Sequence, residues 1–207
     1  MNLNHAIRSP LYHIKRAQPI TATAPGCTLS DLSDLPRVGF RGADTAEYLK
    51  ACGFRIPDVP NRAIEQPDGS LVARLSYTEY LVLGSLEDAG ARVQHEEQQW
   101  QFSNLANYLL PRADSHAWLL LRGVCIAEVM AKLCGVDMSD SAFAPGTVAQ
   151  TSAARISVIV IRPERAATPC FHLLCDRASA HYFHGALLDA MHEFAGVVTS
   201  SETLTND

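Results

Sequence analysis

One stretch of the chain returns about eighty residues later, and that repetition constrains the fold more than any single motif. VGFRGADTAEYLKACG, from Val38 to Gly53, reappears as LLLRGVCIAEVMAKLCG, from Leu119 to Gly135, with one residue inserted late. Arg41-Gly42 matches Arg122-Gly123, Ala46-Glu47 matches Ala127-Glu128, and Cys52-Gly53 matches Cys134-Gly135. Each copy reads as a short apolar strand, a glycine turn, a helix and a glycine stop. The unit is too long for a solenoid repeat. The expectation is one α+β domain made of two related βαβ-type halves with pseudo-twofold symmetry.

A chain of 207 residues buries roughly 70% of its unfolded surface, enough for a sizeable core. Apolar residues make up 47% and charged residues 19%, which is the globular range. A net charge of -5 argues against a nucleic-acid partner, because replacing counterions on phosphate requires an excess of lysine and arginine. The first eighteen residues, MNLNHAIRSPLYHIKRAQ, lack the apolar stretch of a secretory signal. With no run of eighteen apolar residues anywhere, the expectation is a cytoplasmic protein with no membrane partner. The cysteines at 27, 52, 125, 134, 170 and 175 form no CxxC pair and sit mostly in apolar runs, so they read as reduced, structural thiols.

Residues 1–30 mix basic, proline and polar residues without a period and read as an extended N-terminal arm. Leu11, Tyr12 and Ile14 on that arm, and the polar-poor stretch near Phe143 and Pro145, read as surfaces that a partner completes. A single domain follows over 31–198, with halves of about 31–103 and 104–198, and a flexible polar tail over 199–207. The spacing predicts strands at 37–40, 71–75 and 80–83, a helix at 43–52 and a short helix at 86–94. Residues 95–102 are ambiguous, and 103–116 read as a connection between the halves. In the second half, strands are expected at 118–121, 147–152, 156–161 and around Phe171, Leu173 and Cys175. A helix is expected at 124–134, and a type II turn at Pro145-Gly146. Phe183, Ala186, Leu187, Ala190, Met191 and Phe194 recur at helical spacing and predict a helix of about sixteen residues.

Few residues could carry chemistry. His181, His184 and His192 lie on the last helix, where a pair at i and i+3 could share a metal. They lack the motif-spaced carboxylate that HExxH supplies, and they flank the apolar stripe, which favours packing. Asp114, Ser115 and His116 hold the letters of a catalytic triad, but triad members converge from distant parts of a chain, and no GxSxG elbow occurs. Neither GxGxxG nor GxxxxGK[ST] is present, so flavin and NAD have no recognisable glycine cradle here. Arg41 and Arg122 could contact an anion, yet their repetition favours a structural role at the strand-to-helix turn. The expected set of catalytic, cofactor-binding and metal-binding residues is therefore empty.

Several segments together resemble the gamma subunit family of heterotetrameric sarcosine oxidase and, more distantly, the aminomethyltransferase-like, folate-binding fold. They are Ser9-Pro10-Leu11, the strand-turn-helix from Val38, YTEYLVLG from Tyr77, LLLRGVCIAEVMAKLCGVDM from Leu119, SAFAPGTVAQT from Ser141, and FHLLCDRASAHYFHGALLDAMHEF from Phe171. Residues 61–99 match loosely, and His181 and His184 beside Tyr182 depart from the pattern. The resemblance implies a non-catalytic accessory subunit, with alpha, beta and delta partners that hold FAD, FMN, NAD and tetrahydrofolate. The assembly would convert sarcosine, oxygen and tetrahydrofolate into glycine, hydrogen peroxide and methylenetetrahydrofolate. Two alternatives stay open: the equivalent subunit of a related N-methyl amino acid oxidase or dehydrogenase, and a stand-alone folate-binding protein. The latter needs an acidic group in a cavity between the halves to hold the pterin amine. Glu79 is the candidate for that group.

Overall fold

The computed structural model describes residues 8–14 and 26–200. In chain order the first elements are β1 (Cys27–Asp31), β2 (Arg37–Arg41), α1 (Thr45–Ala51), β3 (Arg62–Glu65), β4 (Leu71–Arg74), β5 (Glu79–Leu83), α2 (Ala91–Gln99) and β6 (Tyr108–Pro111). The rest are β7 (His116–Gly123), α3 (Ile126–Ala131), β8 (Val148–Ala153), β9 (Ile156–Ile161), β10 (Cys170–Asp176), α4 (Ala180–Met191) and β11 (Val197–Thr199). They form a five-stranded sheet, β3-β4-β5-β2-β6, and a six-stranded sheet, β11-β1-β7-β10-β9-β8. Every pairing is antiparallel except that of β1 with β11. The halves therefore follow the order strand, helix, strand without the parallel crossover of a true βαβ unit. After each helix the chain returns through antiparallel hairpins instead.

Read from its β3 end, the first sheet runs β3-β4-β5-β2-β6; the second, from its β8 end, runs β8-β9-β10-β7-β1 and then adds β11. The fifth strand of each set comes from the other half. β1 precedes the first repeat but pairs with β7, and β6 precedes the second repeat but pairs with β2. The boundary expected near residue 103 thus lies between elements that are exchanged. The expected arm also ends earlier than residue 30, because residues 27–31 are a central strand of the larger sheet.

The repeated glycines carry a common backbone device. Gly42 has φ +148° and Gly123 φ +141°, and a Cβ would sit 1.8 Å from Ala106 O at the first and 2.4 Å from Gly26 O at the second. Only glycine allows that approach. Two residues after each glycine the amides repeat the pattern: Asp44 N–H donates to Ala106 O at 3.0 Å and Cys125 N–H to Gly26 O at 3.3 Å. The match runs beyond the visible sequence repeat. Asn61 N–H bonds Arg74 O at 2.8 Å and Gly146 N–H bonds Arg162 O at 2.9 Å. Both residues follow a proline and have positive φ, 60° and 76°. The side chains of Arg74 and Arg162 reach back to the carbonyls of Asp58 and Phe143, each three residues before its positive-φ residue. The sheets also meet at these edges, where Ala63 N–H donates to Gly146 O and Val148 N–H to Asn61 O, at 2.9 and 3.0 Å.

Alternation along each strand sorts side chains into three apolar layers. Val38, Phe40, Tyr80 and Val82 face α1 and α2 with Leu49 and Val93. Leu81, Leu83, Trp118, Leu120 and Leu174 fill the space between the sheets. Leu119, Leu121, Phe171 and Leu173 face α3 and α4 with Val129, Phe183 and Leu187. With helices outside and a second sheet inside, the central strands are covered on both faces, which is why they read as continuous apolar runs. Each fully buried Leu or Phe contributes roughly 1.5–3 kcal/mol.

Other expectations shift for identifiable reasons. The helix expected at 86–94 begins only at Ala91, where Gly90 (φ +75°) ends a turn, and it absorbs residues 95–99. Pro145-Gly146 forms the expected turn, closed by Thr147 N–H to Ala144 O at 3.2 Å. Of the arm, residues 1–7 and 15–25 lie outside the described residues. Leu11 is buried in this chain's own core, and Ile14 packs against it. The segment is held by Ser9 Oγ on Asp31, by Arg177 on Arg8 O, and by His181 Nε2 2.7 Å from Pro10 O. Phe143 is likewise buried, its ring 5.7 Å from Phe171. Thr199, assigned to the tail, pairs with Ser30 in β1; residues 201–207 are outside the described residues.

Candidate functional site

Two clefts open between the sheets, and they occupy corresponding places. The larger, about 620 Å³, is lined by Glu79, Arg112, His116, Gln150, Ile159 and Leu174 among others. The smaller, about 400 Å³, includes Cys170, Trp118, Glu65, Leu71 and Leu83. The registers explain the likeness: Arg41 faces Glu79 as Arg122 faces Cys170, and Leu71 faces Glu65 as Ile159 faces Gln150.

In the larger cleft, Glu79 opens β5 and points at the connection after β6. Its Oε1 accepts from Arg112 Nη2 at 2.6 Å, and Arg41 Nη1 stands 3.9 Å from Oε2 with a largely exposed side chain. The Arg112 guanidinium lies against Gly39, where a Cβ would sit 2.7 Å from Nε, so the flat glycine in β2 makes room for it. A short charge-assisted bond between two mostly buried groups commits the carboxylate. Glu79 does lie between the halves, as the folate-binding alternative requires, but its charge is answered by Arg112 and it does not fit the pterin-amine role.

His116 borders the same cleft. Burial, helped by the positive charges of Arg112 and Arg37, pushes its pKa down to about 4, so the ring is neutral at pH 7. Ser115 Oγ is 2.9 Å from His116 Nδ1 and 3.0 Å from Pro111 O, contacts between near neighbours along the chain. Asp114 adds only its charge nearby, so the three adjacent letters do not converge as a triad. Arg37, absent from the sequence-based candidates, is fully buried beneath them. It donates to Ser33 O and Leu35 O on the connection before β2, to Ala113 O on the connection before β7 and to His116 O at the start of β7, at 2.8–3.0 Å. Burial lowers its pKa to about 10, which leaves it charged at neutral pH. It clamps the two crossing points of the exchanged strands.

The smaller cleft holds what the sequence left unnoticed. Burial raises the pKa of Glu65, and its Oε2 is enclosed without a hydrogen-bond partner among the described residues. Trp118 Nε1 donates to His172 Nδ1 at 3.1 Å, and burial brings His172 down to about 4. Arg122 reaches Thr168 Oγ1 at 3.2 Å on the rim. No local pattern marks Glu65 as special. Its position opposite Leu71, matched by Gln150 opposite Ile159, is visible only once the strands are paired.

The histidines of α4 are not brought together. His181 serves Pro10 O, His184 is buried on the packing face with its pKa lowered by burial, and His192 lies in the 3-10 turn His192–Phe194. Among the described residues no group of three His, Cys, Asp or Glu side chains could hold a metal ion. The thiols of Cys27 and Cys170 are pushed up to about 11 and that of Cys175 to about 12, chiefly by burial. They are poor nucleophiles in that state. Among the described residues no helix is long and apolar enough to cross a membrane.

The sequence matches no family model and no curated protein. By structure, it is similar to a chain of the heterotetrameric sarcosine oxidase from Corynebacterium sp. U-96, solved in complex with pyrrole 2-carboxylate. The TM-score is 0.70 at 22% identity, covering 91% of this chain and 96% of that one. It is also similar to the glycine cleavage system aminomethyltransferase T from Bartonella henselae, with a TM-score of 0.57 at 15% identity, covering 86% of this chain and 48% of that one. The chain spans about half of the aminomethyltransferase and nearly all of the oxidase chain. The protein therefore has the mixed α+β fold found in a chain of heterotetrameric sarcosine oxidase and in part of aminomethyltransferase T.

Proposed function

We propose that this chain is the accessory, gamma-type subunit of a heterotetrameric sarcosine oxidase-type flavoenzyme, itself without catalytic residues. The observation that carries the reading is the nearly coextensive match with an oxidase chain, 91% of one and 96% of the other. A fold match of that extent leaves little chain over for a separate activity. In the larger cleft Glu79 is paired with Arg112 and His116 is held neutral, and in the smaller one His172 is held neutral. In this reading the alpha, beta and delta subunits hold FAD, FMN, NAD and tetrahydrofolate, and the assembly oxidatively demethylates sarcosine in the cytoplasm. The two halves are related by a pseudo-twofold axis passing near the β3 and β8 edges, with β1 and β6 as the exchanged strands of one repeated domain.

A related N-methyl amino acid oxidase would use an equivalent subunit, and the choice of amine would rest with its partners. The stand-alone folate-binding reading is weakened by the Glu79–Arg112 pair. The test is purification of this chain, tagged, from cells that express it at native level. Flavin-containing subunits in fixed stoichiometry, with sarcosine-dependent hydrogen peroxide formation, are expected. A chain recovered alone that binds tetrahydrofolate would replace the proposal with the folate-binding one.

A further inference from the structure

The correspondence between the sheets breaks at one strand. Beyond β1 lies β11, parallel to it, with Thr28, Leu29 and Ser30 opposite Val197, Val198 and Thr199. Ser30 Oγ lies 2.7 Å from Thr199 Oγ1 and locks the register. The strand that takes the place of β1 in the smaller sheet is β6: Tyr108, Leu109 and Leu110 face Arg41, Phe40 and Gly39, as Thr28, Leu29 and Ser30 face Arg122, Leu121 and Leu120. Among the described residues no strand lies outside β6.

An open edge presents backbone donors and acceptors that template a further strand. Antiparallel bonding alternates along a strand, and Pro111 has no N–H to offer Val38. Tyr108 and Leu110 therefore take the bonded positions toward β2, and Leu109 turns its amide and carbonyl outward. Leu109 stands where Leu29 stands, and Leu29 is the residue opposite Val198. Beside this edge the surface is apolar. Phe102, Leu105 and Tyr108 are 76%, 52% and 49% exposed, and the Phe102 and Tyr108 rings lie 6.4 Å apart. Edges left to solvent are guarded by charge, shortness or proline; β6 is short and ends at Pro111, but aromatic rings stand beside it where charges would.

We propose that the outer edge of β6 receives an extended strand from another subunit of the assembly. That strand runs parallel to β6 as β11 runs along β1, and Phe102, Leu105 and Tyr108 cover its flank. The proposal rests on the accessory-subunit reading. Its occupant is drawn from the molecule's own example: a short, β-branched segment like Val197-Val198-Thr199, three or so residues long because Pro111 ends the ladder. Main-chain bonds hold such a strand and side-chain pockets select it. A second copy joined edge to edge through a twofold would run antiparallel, which the β1–β11 example does not support.

The test compares hydrogen exchange in the free full chain and in the assembly purified through a tag on it. The amide of Leu109, the one turned outward, should slow by at least about tenfold in the assembly, with the corresponding Leu29 amide, which faces β11, protected in both. The double variant Phe102→Ser/Tyr108→Lys alters exposed side chains only. It should leave the melting of the free chain unchanged and reduce recovery of the partner subunits by about tenfold or more. Partners recovered with the Leu109 amide exchanging as fast as in the free chain would overturn the edge proposal and leave the accessory reading intact. Full recovery of partners by the double variant would do the same. A chain that purifies alone as a monomer would overturn both, and a symmetric dimer protected at Leu109 would replace the partner strand with a second copy.

Discussion

At the mouth of the larger cleft, Glu79 meets Arg112 at 2.6 Å. In the smaller cleft the position facing the repeated arginine is Cys170, and the carboxylate comes from the edge strand as Glu65, with Oε2 unpartnered among the described residues. The backbone around both clefts is held by the same means: Gly42 and Gly123 at the turns, Asn61 and Gly146 at the edges, Arg74 and Arg162 tying the loops down. What is repeated is scaffold. What lines the clefts has diverged, so the shared fold does not carry a shared site.

The largest effect should come from the residue that joins the halves. Arg37→Met would leave four carbonyls, buried or partly buried, without their donor, and at about 1 kcal/mol for each lost hydrogen bond the cost is about 4 kcal/mol. Urea denaturation should show the loss as a lowered midpoint with an unchanged slope. Two separate transitions in the variant would mean that the halves fold independently and that Arg37 merely ties them.

The glycines test the repeat itself. Gly42→Ala and Gly123→Ala should each cost about 2–3 kcal/mol, because both combine an unfavourable φ with a Cβ placed against backbone. Gly135→Ala, with nothing within 4 Å of the added Cβ, should change stability by no more than about 0.5 kcal/mol. Unequal costs at 42 and 123 would break the equivalence of the two turns.

That contrast marks what was legible in the sequence. Arg-Gly, Ala-Glu and Cys-Gly recur because the turn and the helix after it permit few residues, so the repeat showed where the backbone is most constrained. Asn61 and Gly146, or Arg74 and Arg162, satisfy the same geometry with different or scattered residues, and nothing adjacent flags them. β1, β3, β6 and β11 were missed because edge and exchanged strands are short and take their identity from distant partners. That no strand lies outside β6 among the described residues had no sequence signal. Glu79 was legible only as a candidate acidic residue, and its pairing with Arg112 depends on a contact across 33 residues.

A smaller, graded effect separates the clefts by pH. His116 and His172, one in each, have folded pKa values near 4 against 6.5 when free. Unfolding then takes up protons between pH 6.5 and 4, so the stability these rings contribute is intact above 6.5 and falls as pH falls toward 4. Glu65, whose folded pKa is raised, works the other way, since protonation favours its buried state. Thermal melts across that window should show a net loss on acidification that is reduced in His172→Gln. The smallest effects come from the carboxylates. Glu79→Gln should cost about 1 kcal/mol at pH 7 by leaving Arg112 without its counter-charge, whereas Glu65→Gln should be neutral or slightly stabilising. The opposite ranking would assign the committed charge to the wrong cleft.

The central claim is that this chain gives the oxidase structure and not chemistry, and one assay on two preparations tests it most directly. The full chain alone and the complete assembly would be compared for visible flavin absorbance and for hydrogen peroxide formed from sarcosine. The account predicts a colourless, inactive free chain and a yellow, active assembly. Bound flavin and sarcosine oxidation by the free chain would contradict it.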